Sequence, residues 1–224
     1  MLSRRQGALL NRRHCIALAL AAAAAGLAGP PAAAAAPRRV LVVGDSLSAE
    51  YGLPRGTGWV ALLQARLAQQ KIDAEVINAS ISGDTTAGGR ARLAAALARH
   101  QPTHVVIELG GNDALRGMPL QTTQANLAAM AREAKAARAR VLLVGMQMPP
   151  NYGAQYGQEF SGLFAKVAQA EGTALVPFLL AGLSEDPDPL KWFQADRIHP
   201  NAAAHPRLLD NVWPVLRPWL LSAR

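Results

Sequence analysis

The chain has 224 residues, half of them apolar, a single cysteine and a formal net charge of +8. That length suits one domain that can build its core without disulfide staples. Because Cys15 lies in an N-terminal segment set apart below, thiol-nucleophile and cysteine-metal chemistry are excluded for the rest. Without the four arginines of that segment the charge falls to +4, with 19 basic against 15 acidic side chains. The remaining charges are scattered over helix-like runs without aromatic interleaving, which argues against a nucleic-acid partner.

Residues 1–36 carry the pattern of an export signal: Arg4, Arg5, Arg12 and Arg13, an apolar stretch from Ile16 to Ala28, then Ala32 to Ala36 as a cleavage zone. The apolar stretch falls short of the ~20 residues a spanning helix needs, and its alanines are only weakly apolar, so a retained anchor is disfavoured. The two Arg-Arg pairs fit either a twin-arginine signal or an ordinary basic region, which leaves the Sec and Tat routes both open. The expectation is a protein exported to a bacterial periplasm or secreted, with 37–224 as one domain.

From Arg38 onward, strand-like and helix-like runs alternate. Val40 to Val43 is too short for a helix and too uniformly apolar for a half-exposed strand, so it reads as the buried central strand of a parallel sheet. It breaks at Gly44 and delivers Ser46 at the sheet's carboxyl edge, where open α/β folds gather their ligands. A helix following Ser46 would aim its N-terminal N–H groups at a developing anion. The other strand candidates are Ala74 to Asn78, Val105 to Leu109, Val141 to Val144 and Ala174 to Val176. Trp59 to Gln70, Gly89 to His100, Thr123 to Ala139 and Glu159 to Glu171 show apolar residues at helical spacing. Asn201 to Leu220 reads as a closing helix that Pro206, Pro214 and Pro218 should shorten or kink. This βαβ repetition predicts an α/β fold: a central parallel sheet covered by helices on both faces, a three-layer α/β/α sandwich, with the strand-end loops at one rim.

The rim loops carry the chemistry-bearing residues. The second, Ser80 to Gly89, has glycines that let a backbone approach a ligand closely and expose N–H groups. The third, Leu109-Gly110-Gly111-Asn112-Asp113, offers a side-chain amide. The fourth, Gly145 to Tyr156, is long and apolar, as loops that line something tend to be. Asp196-Arg197-Ile198-His199-Pro200 then brings a carboxylate near one imidazole nitrogen and leaves the other to face a nucleophile. With Ser46 at the same rim, the set forms a Ser, Asp, His constellation. Taken singly, Ser46, Asn112, Asp196 and His199 each read more often as a turn, a cap or a surface position.

Four blocks in order, Gly44-Asp45-Ser46-Leu47-Ser48, the Gly83 loop, Gly110-Gly111-Asn112-Asp113 and Asp196-Arg197-Ile198-His199-Pro200, resemble the SGNH or GDSL-type hydrolase family across essentially the whole mature chain. The resemblance implies a flavodoxin-like sandwich, Ser46 as nucleophile, His199 as general base and acid, and Asp196 as the residue that orients His199. It further implies an oxyanion hole from the backbone N–H groups of Ser46 and Gly83 with the side chain of Asn112, and no metal or cofactor. Arg197 stands where the family pattern leads one to expect glycine.

The chemistry expected is an acyl-enzyme route on esters and thioesters. No Gly-x-Ser-x-Gly elbow surrounds Ser46, which disfavours the usual α/β-hydrolase reading, and His100, His104 and His205 are too scattered to suggest a metal site. The apolar segments Ala114 to Leu120 and Gly145 to Tyr156 suit a linear acyl chain, with Leu115, Met118, Met146, Met148, Pro149 and Tyr152 as its candidate contacts. Medium or long acyl esters, thioesters and lysophospholipids are the expected substrates, handled by a monomer in transient contact with lipid surfaces. A carbohydrate O-acetylesterase is the enzymatic alternative, and a catalytically silent binding module is the alternative from another class.

Overall fold

The computed structural model describes residues 38–183 and 185–222, so the expected export signal at 1–36 lies outside the described residues. The chain alternates β1 (Arg38–Gly44), α1 (Trp59–Gln69), β2 (Ala74–Asn78), α2 (Thr86–His100), β3 (His104–Glu108), α3 (Gly111–Leu115), α4 (Leu120–Ala136), β4 (Arg140–Val144), α5 (Ala154–Glu171), β5 (Ala174–Val176) and α6 (His205–Leu221), with short 3-10 turns at Pro150–Tyr152 and Pro189–Trp192. The five strands form one sheet in the order β2-β1-β3-β4-β5, and every neighbouring pair is parallel. The expected sandwich follows from the alternation along β1. Leu41 and Val43 join α2, α4 and α5 through Leu93, Leu127, Met130, Phe160 and Phe164. Val40 and Val42 face the other way, onto α1 and α6 through Trp59, Leu63, Leu208, Val212 and Leu216. Val40 to Val43 are wholly buried, each such side chain contributing roughly 1.5–3 kcal/mol by leaving water.

Several element ends differ from the sequence reading, each for a local reason. The strand over residues 104–108 starts one residue early, because His104 pairs with Val40 and Arg140 in the parallel registers. Helix α2 begins at Thr86, three residues before the apolar spacing starts, because the Thr85 side chain accepts the Gly88 N–H and caps it. Helix α4 covers Leu120–Ala136 rather than 123–139; it closes where Arg138 turns left-handed at φ 63°. Helix α5 starts at Ala154 after Gly153 at φ 93°, so Tyr156 belongs to its first turn and not to the rim loop. Helix α6 begins at His205 rather than at 201, with Pro206 in its first turn, where a missing N–H costs nothing, and then runs 17 residues to Leu221 without ending at Pro214 or Pro218. The internal two stand four residues apart on the exposed face, as does Asp210. The residues whose carbonyls lose an N–H partner, Asp210 and Pro214, thus lie on the face toward solvent.

Candidate active site

No helix follows Ser46, contrary to the expectation from the sequence. Residues 46–52 form consecutive turns, with Ala49 N–H donating to the Asp45 carbonyl at 2.9 Å, and α1 begins only at Trp59. Glu50 and Gly52, at φ 60° and 69°, break the helical path. Gly44 is required by space: a Cβ there would stand 2.7 Å from Glu108 Oε2 and 2.9 Å from the Ser48 side chain. Those two atoms open a buried polar network under the loop. Trp59 Nε1–H donates to Ser48 Oγ at 3.1 Å, Ser48 Oγ–H donates to Glu108 Oε2 at 2.6 Å, and the Asp45 N–H points at the same oxygen at 3.4 Å. Burial, reinforced by the Asp45 charge, raises the Glu108 carboxyl well above the ordinary carboxylate range. Burial likewise pushes Asp45 up to about 6.

Ser46 and His199, 153 residues apart, meet at the rim: Ser46 Oγ is 2.9 Å from His199 Nε2. His199 Nδ1 is 2.7 Å from Asp196 Oδ2, while the other carboxylate oxygen accepts the N–H groups of Ile198 and His199 at 3.0 Å each. The backbone N–H of His199, ahead of the other bonds, holds Asp196 down at about 2. An ionised carboxylate only accepts, so Nδ1 carries the hydrogen and Nε2 is the ring nitrogen that faces the Ser46 hydroxyl. Arg197, at φ 59°, adopts the left-handed turn that a glycine would take without strain. The departure from the family pattern is accommodated in place.

Asn112, in the first turn of α3, spans two loops. Its Nδ2 donates to Asp45 Oδ2 and to the Asp84 carbonyl, both at 3.0 Å. Asp45 precedes Ser46 and Asp84 follows Gly83, so the amide lies between the two backbone segments expected to supply the other donors. Among the described residues the N–H groups of Ser46 and Gly83 donate to no protein acceptor. Gly83 sits at φ 78°, a conformation that favours glycine. The second loop is pinned by Arg92, which pairs with Asp84 at 2.8 Å and donates to the Ala79 carbonyl. The third is pinned by buried Asp113, which accepts the Thr86 N–H at 2.8 Å and the Thr86 and Thr123 hydroxyls.

The candidate acyl contacts separate. Leu115 and Tyr152 are exposed at 40% and 39%; Met118 and Met148 are half-buried and Pro149 is exposed. Met146 does not line the surface. It is buried in the core between sheet and helices, and its sulfur packs against Gly111. Tyr156 joins the two segments, its hydroxyl donating to the Ala114 carbonyl at 3.3 Å. The buried Asp45, Ser48, Glu108 and Trp59 set escaped the sequence reading. The available signal was two carboxylates at the ends of otherwise apolar strand runs.

Residues 42–207 match the model of the GDSL-like Lipase/Acylhydrolase family. Esterase TesA of Pseudomonas aeruginosa is 58% identical over 181 residues, covering 81% of this chain and 89% of that one. Thioesterase 1/protease 1/lysophospholipase L1 of Escherichia coli K12 is 42% identical over 179 residues, covering 80% of this chain and 83% of its own. In structure, the psychrotrophic esterase EstA from Pseudoalteromonas sp., solved inhibited by monoethylphosphonate, superposes with a TM-score of 0.77 at 39% identity, over 83% of this chain and all of that one.

Proposed function

Because this chain belongs to the GDSL-like lipase/acylhydrolase family, we propose that it is a serine hydrolase cleaving carboxylic esters and thioesters of medium to long acyl chains through an acyl-enzyme. Its likeness to an esterase and a thioesterase/lysophospholipase at 58% and 42% identity supports the reaction class. The observation that carries the residue roles is the Ser46 Oγ to His199 Nε2 contact of 2.9 Å, backed by Asp196 at 2.7 Å from Nδ1. Ser46 yields its proton to Nε2 as its oxygen attacks the carbonyl carbon. The N–H groups of Ser46 and Gly83 and the Asn112 amide meet the oxyanion. Collapse expels the alcohol or thiol, which takes the proton from Nε2, and His199 then activates a water that releases the acid. Asn112 gives up its bond to the Asp84 carbonyl in favour of the stronger charge-assisted bond to the oxyanion.

The acyl chain is assigned to Leu115, Met118, Met148, Pro149 and Tyr152 on the third and fourth loops, with Met146 as their buried support. Residues 1–36 are assigned to export, on the strength of the basic, apolar and small-residue succession. The test is hydrolysis of p-nitrophenyl esters from acetyl to palmitoyl by residues 37–224, with Ser46→Ala as the blank. A maximum at medium or long chains that the variant loses is the expected result. Activity confined to acetyl would move the substrate to O-acetyl carbohydrates, and absence of Ser46-dependent hydrolysis would overturn the enzymatic reading.

A further inference from the structure

We propose that Tyr51 forms the wall of a leaving-group subsite that favours flat aromatic alcohols and thiols, separate from the loops that take the acyl chain. The Tyr51 ring stands 4.5 Å from the His199 imidazole, tilted by 44°, yet 49% of the residue remains exposed. An aromatic ring in contact with the general acid thus keeps open area beside it. The residue is exposed but held. Its carbonyl accepts from Gln194 Nε2 at 2.8 Å, and the same amide donates to the Pro200 carbonyl at 3.1 Å. Gly52 lies so close to Gln194 that an added Cβ would meet Oε1 at 2.1 Å. The turn bearing Tyr51 is therefore stapled to the turn bearing His199. Its other flank is secured by Glu50 Oε1, which accepts the N–H groups of Gly56 and Gly58 at 2.9 Å each.

The inference rests on the reading of Ser46 and His199 given above. When the tetrahedral intermediate collapses, the bond from the former carbonyl carbon to the leaving oxygen or sulfur breaks, its electron pair stays with that atom, and the proton comes from Nε2. The leaving atom is therefore within hydrogen-bond reach of Nε2. Its substituent emerges beside the imidazole, where the Tyr51 ring stands. A flat substituent gains an offset or edge contact with the Tyr51 ring that a small alkyl group cannot make.

Benzyl and ethyl butyrate test this, because they share one acyl-enzyme and one deacylation step. The expected result is that Tyr51→Ala lowers the ratio of benzyl to ethyl kcat/KM about threefold to tenfold, the range of one aromatic contact, and that Tyr51→Phe restores it. Equal slowing of both esters would show that Tyr51 only holds His199, and an unchanged ratio would show no contact; either overturns the subsite. If neither ester is hydrolysed in a Ser46-dependent way, the assignment of the site itself fails and the subsite with it.

Discussion

Asn112 Nδ2 and Asp45 Oδ2 stand 3.0 Å apart, so the residue that precedes Ser46 also aims the side-chain amide on the neighbouring loop. Asn112→Ala should lower kcat by about 100-fold to 1,000-fold, the usual worth of one oxyanion donor, with little change in KM. Steady-state kinetics on one p-nitrophenyl ester checks this. A rise in KM at unchanged kcat would remove Asn112 from the oxyanion role.

His199→Ala should abolish turnover and leave the fold intact, since His199 sits at the rim and its imidazole contacts are with Ser46, Asp196 and Tyr51. Asp196→Asn should retain some activity but a reduced kcat, because an amide does not enforce the Nδ1–H tautomer. Hydrolysis rates paired with urea unfolding midpoints separate lost chemistry from lost structure.

Glu108 predicts a decline in stability as pH rises beyond the ordinary carboxylate range. Its folded-state pKa is raised above the ordinary 4.5 by burial and by the Asp45 charge, so the native state holds that proton more tightly than the unfolded chain does. The resulting stabilisation is complete below 4.5 and is lost as pH rises through the folded value. Glu108→Gln keeps the shape and the acceptor for the Ser48 hydroxyl without the titration. Its urea midpoint should vary less than the wild-type midpoint as pH rises; parallel curves would contradict this. Glu108→Ala should cost about 2–4 kcal/mol, through a cavity and a Ser48 hydroxyl left without its acceptor.

His205 predicts the opposite slope. Its Nδ1 accepts the Trp59 N–H at 2.9 Å, at the start of α1, and burial lowers its pKa below 6.5 against smaller opposing effects of the Pro200 carbonyl and the Glu50 charge. A depressed value means stability that is present above 6.5 and lost as pH falls. His205→Asn should be less stable than the wild type at neutral pH and lose less on acidification. Thermal melts across the acidic range measure the difference.

The architecture was legible because it is written in local patterns. An all-apolar four-residue run bounded by Arg39 and Gly44, followed by segments of helical spacing, admits few arrangements other than buried parallel strands with crossover helices. Element ends were less legible, because caps and left-handed residues such as Thr85, Arg138 and Gly153 override apolar periodicity. The internal α6 prolines do not end the helix for a related reason: the sequence shows where an N–H is missing, but not that Pro214 and Pro218 sit on the exposed face.

By itself the sequence determined which residue types arrive at the rim and in what order, since strand ends and turn chemistry are set by near neighbours. Tertiary structure alone decided which of them touch. Ser46 and His199 are 153 residues apart, and their contact exists only because both turns close over the same sheet edge. The burial that raises Glu108 and Asp45, hides Met146 and leaves Tyr51 open beside the imidazole depends on what packs from distant segments. Solvent exposure and side-chain contact are properties of the assembled layers, and no short window of residues contains them.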